Sequence, residues 1–136
     1  MFPQLPLEFL VRGTAVSQQA SARSRENWKA AVHAAGRAAV PPGSWALTDR
    51  VAITIYYFPQ AEMLGDIDNL IKPILDGLNA CIYVDDQQVE RIVVQKFEPG
   101  NLYAFTDPSE ALATALQSAG PVIYVRVTDD PHGELT

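Results

Sequence analysis

The 136-residue chain contains few of the residue types on which many proteins build their chemistry. The single cysteine, Cys81, excludes an internal disulfide framework and a cysteine-rich zinc site. Only two histidines, His33 and His132, are present, which argues against a Ser-His-Asp hydrolase. A glycine-rich phosphate loop of the Walker type is also absent from the sequence. The function must therefore rest on other side chains.

Long apolar runs are absent as well. No stretch approaches the roughly 20 apolar residues of a membrane helix, and no charged-then-apolar leader begins the sequence. We therefore expect a cytoplasmic protein with no membrane partner. The composition, 48% hydrophobic and 19% charged, is typical of a globular protein, and the length suits one domain.

Basic residues are scarce and unevenly distributed. The chain has 10 basic and 16 acidic side chains, a net charge of −6, which argues against a nonspecific nucleic-acid binder. The first 60 residues nevertheless carry a net charge of +3, whereas residues 61–136 carry −9. The acidic side chains of the second half therefore need an explanation, either as a functional cluster or as a solvated surface.

Hydrophobic periodicity predicts an α+β fold with the order β-α-β-α-β-α-β, in which helices pack on a small mixed sheet. The predicted strands cover residues 5–11, 51–58, 88–97 and 122–128, and the predicted helices cover 25–40, 69–82 and 108–118. We expect Asp107 to cap the third helix. Residues 1–128 form one predicted domain, and residues 129–136 form an acidic tail predicted to be flexible.

Paired carboxylates carry the strongest chemical signal. Asp66 and Asp68 are two residues apart and point to one side in extended backbone, where they repel unless a cation neutralises them. Oxygen ligands of this kind suit Mg²⁺ or Mn²⁺, and Lys72 lies one helical turn after Asp68. Asp85 and Asp86 follow the helix. Since a helix of about 14 residues is about 21 Å long, Asp86 can approach Asp66 only if the chain folds back.

Each of these features also has a structural interpretation, which the spacing alone leaves open. Asp68 could cap the helix. Lys72 and Asp76 could form an ordinary surface pair. Asp85 and Asp86 could form a turn.

Three runs in this region resemble the RusA-type Holliday junction resolvases. They are GDIDNLIKP at 65–73, LDGLN at 75–79 and YVDDQQV at 83–89. The resemblance covers residues 65–96. It is specific, because the Asp-x-Asp-Asn-x-x-Lys block, an amphipathic helix and the Asp-Asp-x-x-Val block occur in the same order.

The resemblance implies a Mg²⁺-dependent endodeoxyribonuclease, with Mn²⁺ as a possible substitute, that acts on branched DNA in recombination and repair. It implies that Asp66, Asp68 and Asp86 bind the metal and that Lys72 is required for catalysis, with Asp85 as a reserve metal ligand. It also implies a homodimer whose two sites nick opposed strands of a four-way junction.

A junction-binding protein needs basic side chains, because phosphate contacts dominate its affinity. The best candidates for DNA binding are Arg25, Lys29 and Arg37, which lie on one helix face with His33, and Arg23 in the preceding loop. The same face is equally typical of the solvated side of an amphipathic helix.

Residues 101–136 do not match the family pattern. This segment and the acidic second half leave two alternatives open. The chain could be a non-catalytic DNA-junction-binding protein or an acidic protein-interaction module that reuses the fold.

Overall fold

The computed structural model describes residues 1–63, 65–133 and 135. Within these ranges the chain forms four strands, three helices and one short 3₁₀ turn at Asp86–Gln88. In chain order they are β1 (Leu7–Arg12), α1 (Ala22–Ala38), β2 (Val51–Phe58), α2 (Asp68–Leu78), β3 (Val89–Lys96), α3 (Glu110–Leu116) and β4 (Val122–Thr128).

The four strands form one mixed sheet in the order β1-β4-β2-β3. Strand β4 is antiparallel to both β1 and β2, whereas β3 is parallel to β2. A parallel pair requires a crossover connection, and residues 59–88 supply it with α2 at its centre. The two acidic blocks therefore lie at the two ends of α2. The first, Asp66 and Asp68, is at its start, and the second, Asp85 and Asp86, is in the turn that leads into β3.

Alternating residues of the strands supply two separate hydrophobic clusters, as the period of a strand requires. On the inner face, Ile53, Ile55 and Tyr57 of β2 pack with residues of α1 and α2. On the outer face, Phe58 and Tyr124 pack with residues of α3 and with aromatic side chains of the preceding loop. The helices α1 and α2 are thus on one face of the sheet and α3 is on the other.

The helices α1 and α2 approach each other closely at Gly77. A Cβ atom at this position would lie 2.6 Å from Cβ of Val32 and 3.0 Å from the carbonyl oxygen of Lys29. Pro73, inside α2, has no N–H to donate to the carbonyl of Asn69, and the N–H of Gln18 donates to this carbonyl instead, at 2.7 Å. These contacts fix α2 against α1 and the loop before it.

The predicted α+β fold and the order of its elements are confirmed, with β2 and β4 at their predicted limits. The helix α2 is shorter than predicted, because Asn79 adopts an extended conformation. The expected cap at Asp107 is wrong. Ser109 caps α3 instead, accepting a hydrogen bond from the N–H of Leu112.

The described part of the C-terminal tail contacts β3. His132 Nε2 lies 3.2 Å from a carboxylate oxygen of Glu90, and the carbonyl of Gly133 accepts a hydrogen bond from Arg91. Two positions of the predicted tail, Glu134 and Thr136, lie outside the described residues. None of the described helices combines the length and apolar composition that crossing a membrane requires.

Candidate active site

The first acidic block lies at the start of α2. Asp66 and Asp68 are both exposed, and Asp68 is the first residue of the helix. Ile67 occupies the capping position, and no side chain caps this end. The interpretation of Asp68 as a helix cap is therefore wrong. Its carboxylate lies in the first turn, where the helix dipole favours negative charge but leaves the oxygens free for other partners.

Asp86, in the second acidic block, is held by three side chains. Its Oδ1 accepts hydrogen bonds from Nδ2 of Asn79 at 3.2 Å and from the hydroxyl of Tyr83 at 2.9 Å. Its Oδ2 lies 3.1 Å from Nζ of Lys72. Burial of Tyr83 raises its pKa, so the hydroxyl keeps the proton that it donates. One carboxylate oxygen is thus fixed by neutral donors, and the other faces an amine.

Lys72 joins α2 to Asp86. Its Nζ lies 2.8 Å from Oδ1 of Asp76 as well as 3.1 Å from Oδ2 of Asp86. The hydrogen bond with Asp76, and next the one with Asp86, raise the pKa of Lys72, so the amine carries a positive charge at neutral pH. The surface-pair interpretation of Lys72 and Asp76 is confirmed as a contact, and this contact coexists with the one to Asp86.

The side chain of Gln88 forms hydrogen bonds that stabilise the loop carrying Asp85 and Asp86. Its Oε1 accepts hydrogen bonds from the N–H groups of Val84 and Asp85, at 2.8 and 2.9 Å. Its Nε2 donates to the carbonyls of Leu47 and Asp49, both at 2.8 Å. Asp85 itself is exposed. The turn interpretation of this segment is confirmed in part, because a 3₁₀ turn begins at Asp86.

The structure brings Lys72 and Asp86 together but does not gather the three predicted metal ligands at one point. In the described ranges, 1–63, 65–133 and 135, no group of three His, Cys, Asp or Glu side chains could hold a metal ion. Asp66 and Asp68 lie at the start of α2, and Lys72 stands between Asp68 and Asp86 along the chain. The donor chemistry of the three aspartates still fits a hard divalent cation, which prefers carboxylate oxygens.

The predicted DNA-binding residues divide into two pairs. Nη1 of Arg25 donates to the carbonyls of Ala20 and Gln18, at 2.6 and 3.2 Å. Lys29 pairs with Glu26 at 3.0 Å and lies 3.7 Å from Asp76. Arg23 and Arg37 are exposed, and their side chains form no hydrogen bond or ion pair with the described part of the chain.

Asn79, Tyr83 and Gln88 are site residues to which the sequence analysis assigned no role. All three lie inside the runs that resemble the resolvases. Their contacts depend on how residues 79–88 fold back over α2, which periodicity does not reveal. A buried tyrosine two residues before an aspartate pair is the one signal that could have indicated a hydrogen bond.

Together, these features define a small α+β protein with an exposed site of aspartates and one lysine, a combination suited to phosphoryl chemistry. A family model described as Endodeoxyribonuclease RusA matches residues 11–103, which is more than half of the chain. The chain belongs to this family, as the resemblance predicted. It is therefore a member of a family of endonucleases that act on branched DNA. No curated protein matched the chain.

The family match ends before α3 and β4, but these elements are integral to the fold. Strand β4 pairs with both β1 and β2 and so occupies an interior position in the sheet. Strand β4, which lies beyond the matched residues, therefore completes the sheet between β1 and β2.

Proposed function

We propose that the protein is a Mg²⁺-dependent, structure-specific endodeoxyribonuclease that resolves four-way DNA junctions by paired phosphodiester hydrolysis, in DNA recombination and repair. Two copies acting as a homodimer would place one site on each of two opposed strands. A DNA substrate agrees with the cytoplasmic location expected from the sequence.

The observation that carries the proposal is the contact between Nζ of Lys72 and Oδ2 of Asp86, at 3.1 Å. It joins the helix that Asp68 begins to the loop that carries the second acidic block. Two of the side chains named by the family resemblance, Lys72 and Asp86, are therefore in contact although they are 14 residues apart in sequence. Family membership over residues 11–103 supports the proposed nuclease activity.

In this proposal Asp66, Asp68 and Asp86 hold the cation, and Asp85 is a reserve ligand. Asn79 and Tyr83 donate hydrogen bonds to Oδ1 of Asp86, so Oδ2 would be the oxygen available to the cation. When bound, the cation supplies Lewis-acid activation of the scissile phosphate and the attacking water. Mn²⁺ accepts the same oxygen ligands and is a suitable substitute.

Lys72 has the second role in the proposed reaction. Its amine is positively charged and lies next to the carboxylate of Asp86, and its side chain is half-exposed. An amine in this position can bind a phosphate oxygen and offset the negative charge that develops during hydrolysis.

The test is nicking of an end-labelled synthetic four-way junction in Mg²⁺ by the native protein and by Asp68→Asn. We expect paired cuts from the native protein. We expect the variant to lose at least roughly 100-fold in rate, because one anionic ligand is removed. Its melting temperature without metal should be equal or higher, since carboxylate repulsion is relieved.

Asp85→Asn tests the reserve ligand, because Asp85 is the exposed carboxylate next to Asp86 and is not one of the three proposed ligands. It should nick at close to the native rate, and loss of activity equal to that of Asp86→Asn would make Asp85 a ligand as well. Among the described residues no three carboxylates gather at one point, and this favours one alternative, a non-catalytic junction-binding protein. Tight junction binding without cuts in Mg²⁺ or Mn²⁺ would support that alternative.

For DNA binding we propose Arg23, Arg25, Lys29 and Arg37, with the exposed Arg23 and Arg37 making the larger contribution. Charge reversal in Arg37→Glu should weaken junction binding several-fold and lower the slope of log K against log salt by about one, since about one phosphate contact is lost. Fluorescence anisotropy in a salt series measures both quantities. An unchanged slope in Arg23→Glu and Arg37→Glu would move the DNA surface elsewhere.

A further inference from the structure

A continuous series of charged contacts runs from α1 to the candidate site. Its members alternate in sign, and its steps are Glu26–Lys29 at 3.0 Å, Lys29–Asp76 at 3.7 Å, Asp76–Lys72 at 2.8 Å and Lys72–Asp86 at 3.1 Å. The last step belongs to the site already described. The role of Asp76, in the middle of the series, is not explained by that site.

Asp76 differs from a typical partner in a surface ion pair. Its Oδ1 faces Lys72 and its Oδ2 faces Lys29, so both oxygens have a cationic neighbour. Its side chain is 24% exposed, compared with 54% for Lys72. The next residue, Gly77, lies where α1 and α2 are too close for a Cβ atom. Helix packing therefore fixes the position of this carboxylate.

The contact of Lys72 with Asp86 cannot persist unchanged if Asp86 binds a cation, because both cations would compete for Oδ2. The lysine side chain has four rotatable bonds and would then move into solvent unless another group retained it. Asp76 is such a group, and it lies closer to Nζ than Asp86 does.

We propose that Asp76 is a positioning residue that retains Lys72 at the acidic site and draws it away from Asp86 when that carboxylate binds a divalent cation. This inference rests on the proposed function. Lys29 supports the arrangement by occupying the other oxygen of Asp76. Asp76 itself does not contact the DNA or the cation.

The first experiment measures single-turnover nicking of a four-way junction over a Mg²⁺ series. Asp76→Asn should lower the maximal rate on the order of tenfold while junction affinity changes less than about twofold, since Lys72 loses its anchor. Asp76→Glu should recover most of the rate, because its carboxylate can still reach Lys72 one turn away. A native rate in Asp76→Asn would overturn the proposal.

Glu26→Gln is the matched control, because Glu26 also pairs with Lys29 but does not contact Lys72. It should nick at the native rate. An equal loss of nicking rate in Glu26→Gln and Asp76→Asn would show that the removal of one negative charge, and not the loss of the contact with Lys72, causes the effect. That result would also overturn the proposal.

The second experiment uses Mn²⁺ binding as a readout that does not require catalysis. Calorimetry on the native protein, Asp76→Asn, Lys72→Met and the double variant forms a double-mutant cycle. Asp76→Asn should weaken Mn²⁺ binding about three- to tenfold when Lys72 is present, because the lysine then competes for Asp86. The change should be less than about twofold when Lys72 is methionine. Equal losses in both backgrounds would mean that Asp76 acts by its charge alone.

The two proposals fail in different ways. A native protein that nicks no junction in Mg²⁺ or Mn²⁺ would refute the proposed nuclease function. If this protein still binds Mn²⁺, the Mn²⁺ cycle decides whether Asp76 acts through Lys72, and if it binds no Mn²⁺, both proposals are refuted. A native protein that nicks, with an equally active Asp76→Asn variant, would refute only the role of Asp76.

Discussion

Two buried tyrosines donate hydrogen bonds to carboxylates on opposite faces of the sheet. On the inner face Tyr83 donates to Asp86, and on the outer face Tyr124 donates to Glu8. Burial raises the pKa of both tyrosines, so each remains a proton donor. The two pairs therefore have the same chemistry but different surroundings.

The outer pair, Tyr124 and Glu8, is linked by a hydrogen bond to the start of helix α3. Oε2 of Glu8 accepts hydrogen bonds from both Tyr124 and Ser109, and Ser109 caps α3. In the inner pair the neutral donors bind Oδ1 of Asp86, while Oδ2 faces the exposed amine of Lys72. The outer carboxylate thus attaches a helix to the sheet, and the inner one presents charge at the surface.

The packing against the two faces of the sheet, here called the outer and inner layers, differs in the same way. The outer layer is rich in aromatic contacts, such as the stacked rings of Phe58 and Phe97, whose centroids are 5.0 Å apart. The inner layer instead brings two helices together at a glycine, with the charged series beside it. We infer that the outer layer mainly stabilises the fold, whereas the inner layer also holds the site.

The largest effect on stability that we expect from the inner layer is that of Gly77→Ala. The new Cβ would lie 2.6 Å from Cβ of Val32, so the helices must separate. We expect a loss of about 2 kcal/mol in the free energy of unfolding, because overpacking outweighs the better helix propensity of alanine. Nicking should also slow, since Asp76 moves with α2. Urea unfolding and the junction assay measure the two effects.

Gly120→Ala is the control for that substitution, because no atom lies within 4 Å of a Cβ built at this position. Its free energy of unfolding should change by less than about 0.5 kcal/mol. Equal unfolding midpoints for Gly77→Ala and the native protein would contradict the close helix contact.

Much of the fold could be predicted because strand and helix periods are local properties of the sequence. The β-branched and aromatic residues of 51–58 predicted β2, and the strand predicted over 122–128 is β4, both at their observed limits. The end of α2 was harder to predict, because apolar residues such as Ile82 continue the helical pattern beyond Leu78, where the chain forms a buried loop. The pairing of β4 between β1 and β2 depends on contacts distant in sequence, which periodicity does not encode.

The candidate site could be predicted only as a set of residue types. Spacing placed Lys72 one turn after Asp68, and the structure agrees. Whether Asp86 returns to this helix depends on the fold of residues 79–88, which Gln88 and Tyr83 determine through contacts distant from the motif. The pairing of Lys29 with Asp76 could not be predicted either, because it depends on the packing of α1 against α2.

The sharpest test of the comparison between the two faces is the matched pair Tyr83→Phe and Tyr124→Phe. Each variant removes one hydroxyl from a buried ring and should lower the free energy of unfolding by about 1 kcal/mol, the usual net contribution of a hydrogen bond. The carbonyl of Leu75, also 3.2 Å from the Tyr83 hydroxyl, still accepts the N–H of Asn79 in Tyr83→Phe.

Only Tyr83→Phe should slow nicking, on the order of tenfold, because Asp86 loses a donor that fixes its Oδ1. Tyr124→Phe should nick at the native rate, since Glu8 lies on the opposite face of the sheet and keeps its bond from Ser109. Urea unfolding and single-turnover nicking on the same preparations separate stability from activity. Equal slowing by both variants would mean that the hydroxyls act only through stability. A native rate in Tyr83→Phe would mean that Lys72 and Asn79 orient Asp86 without it.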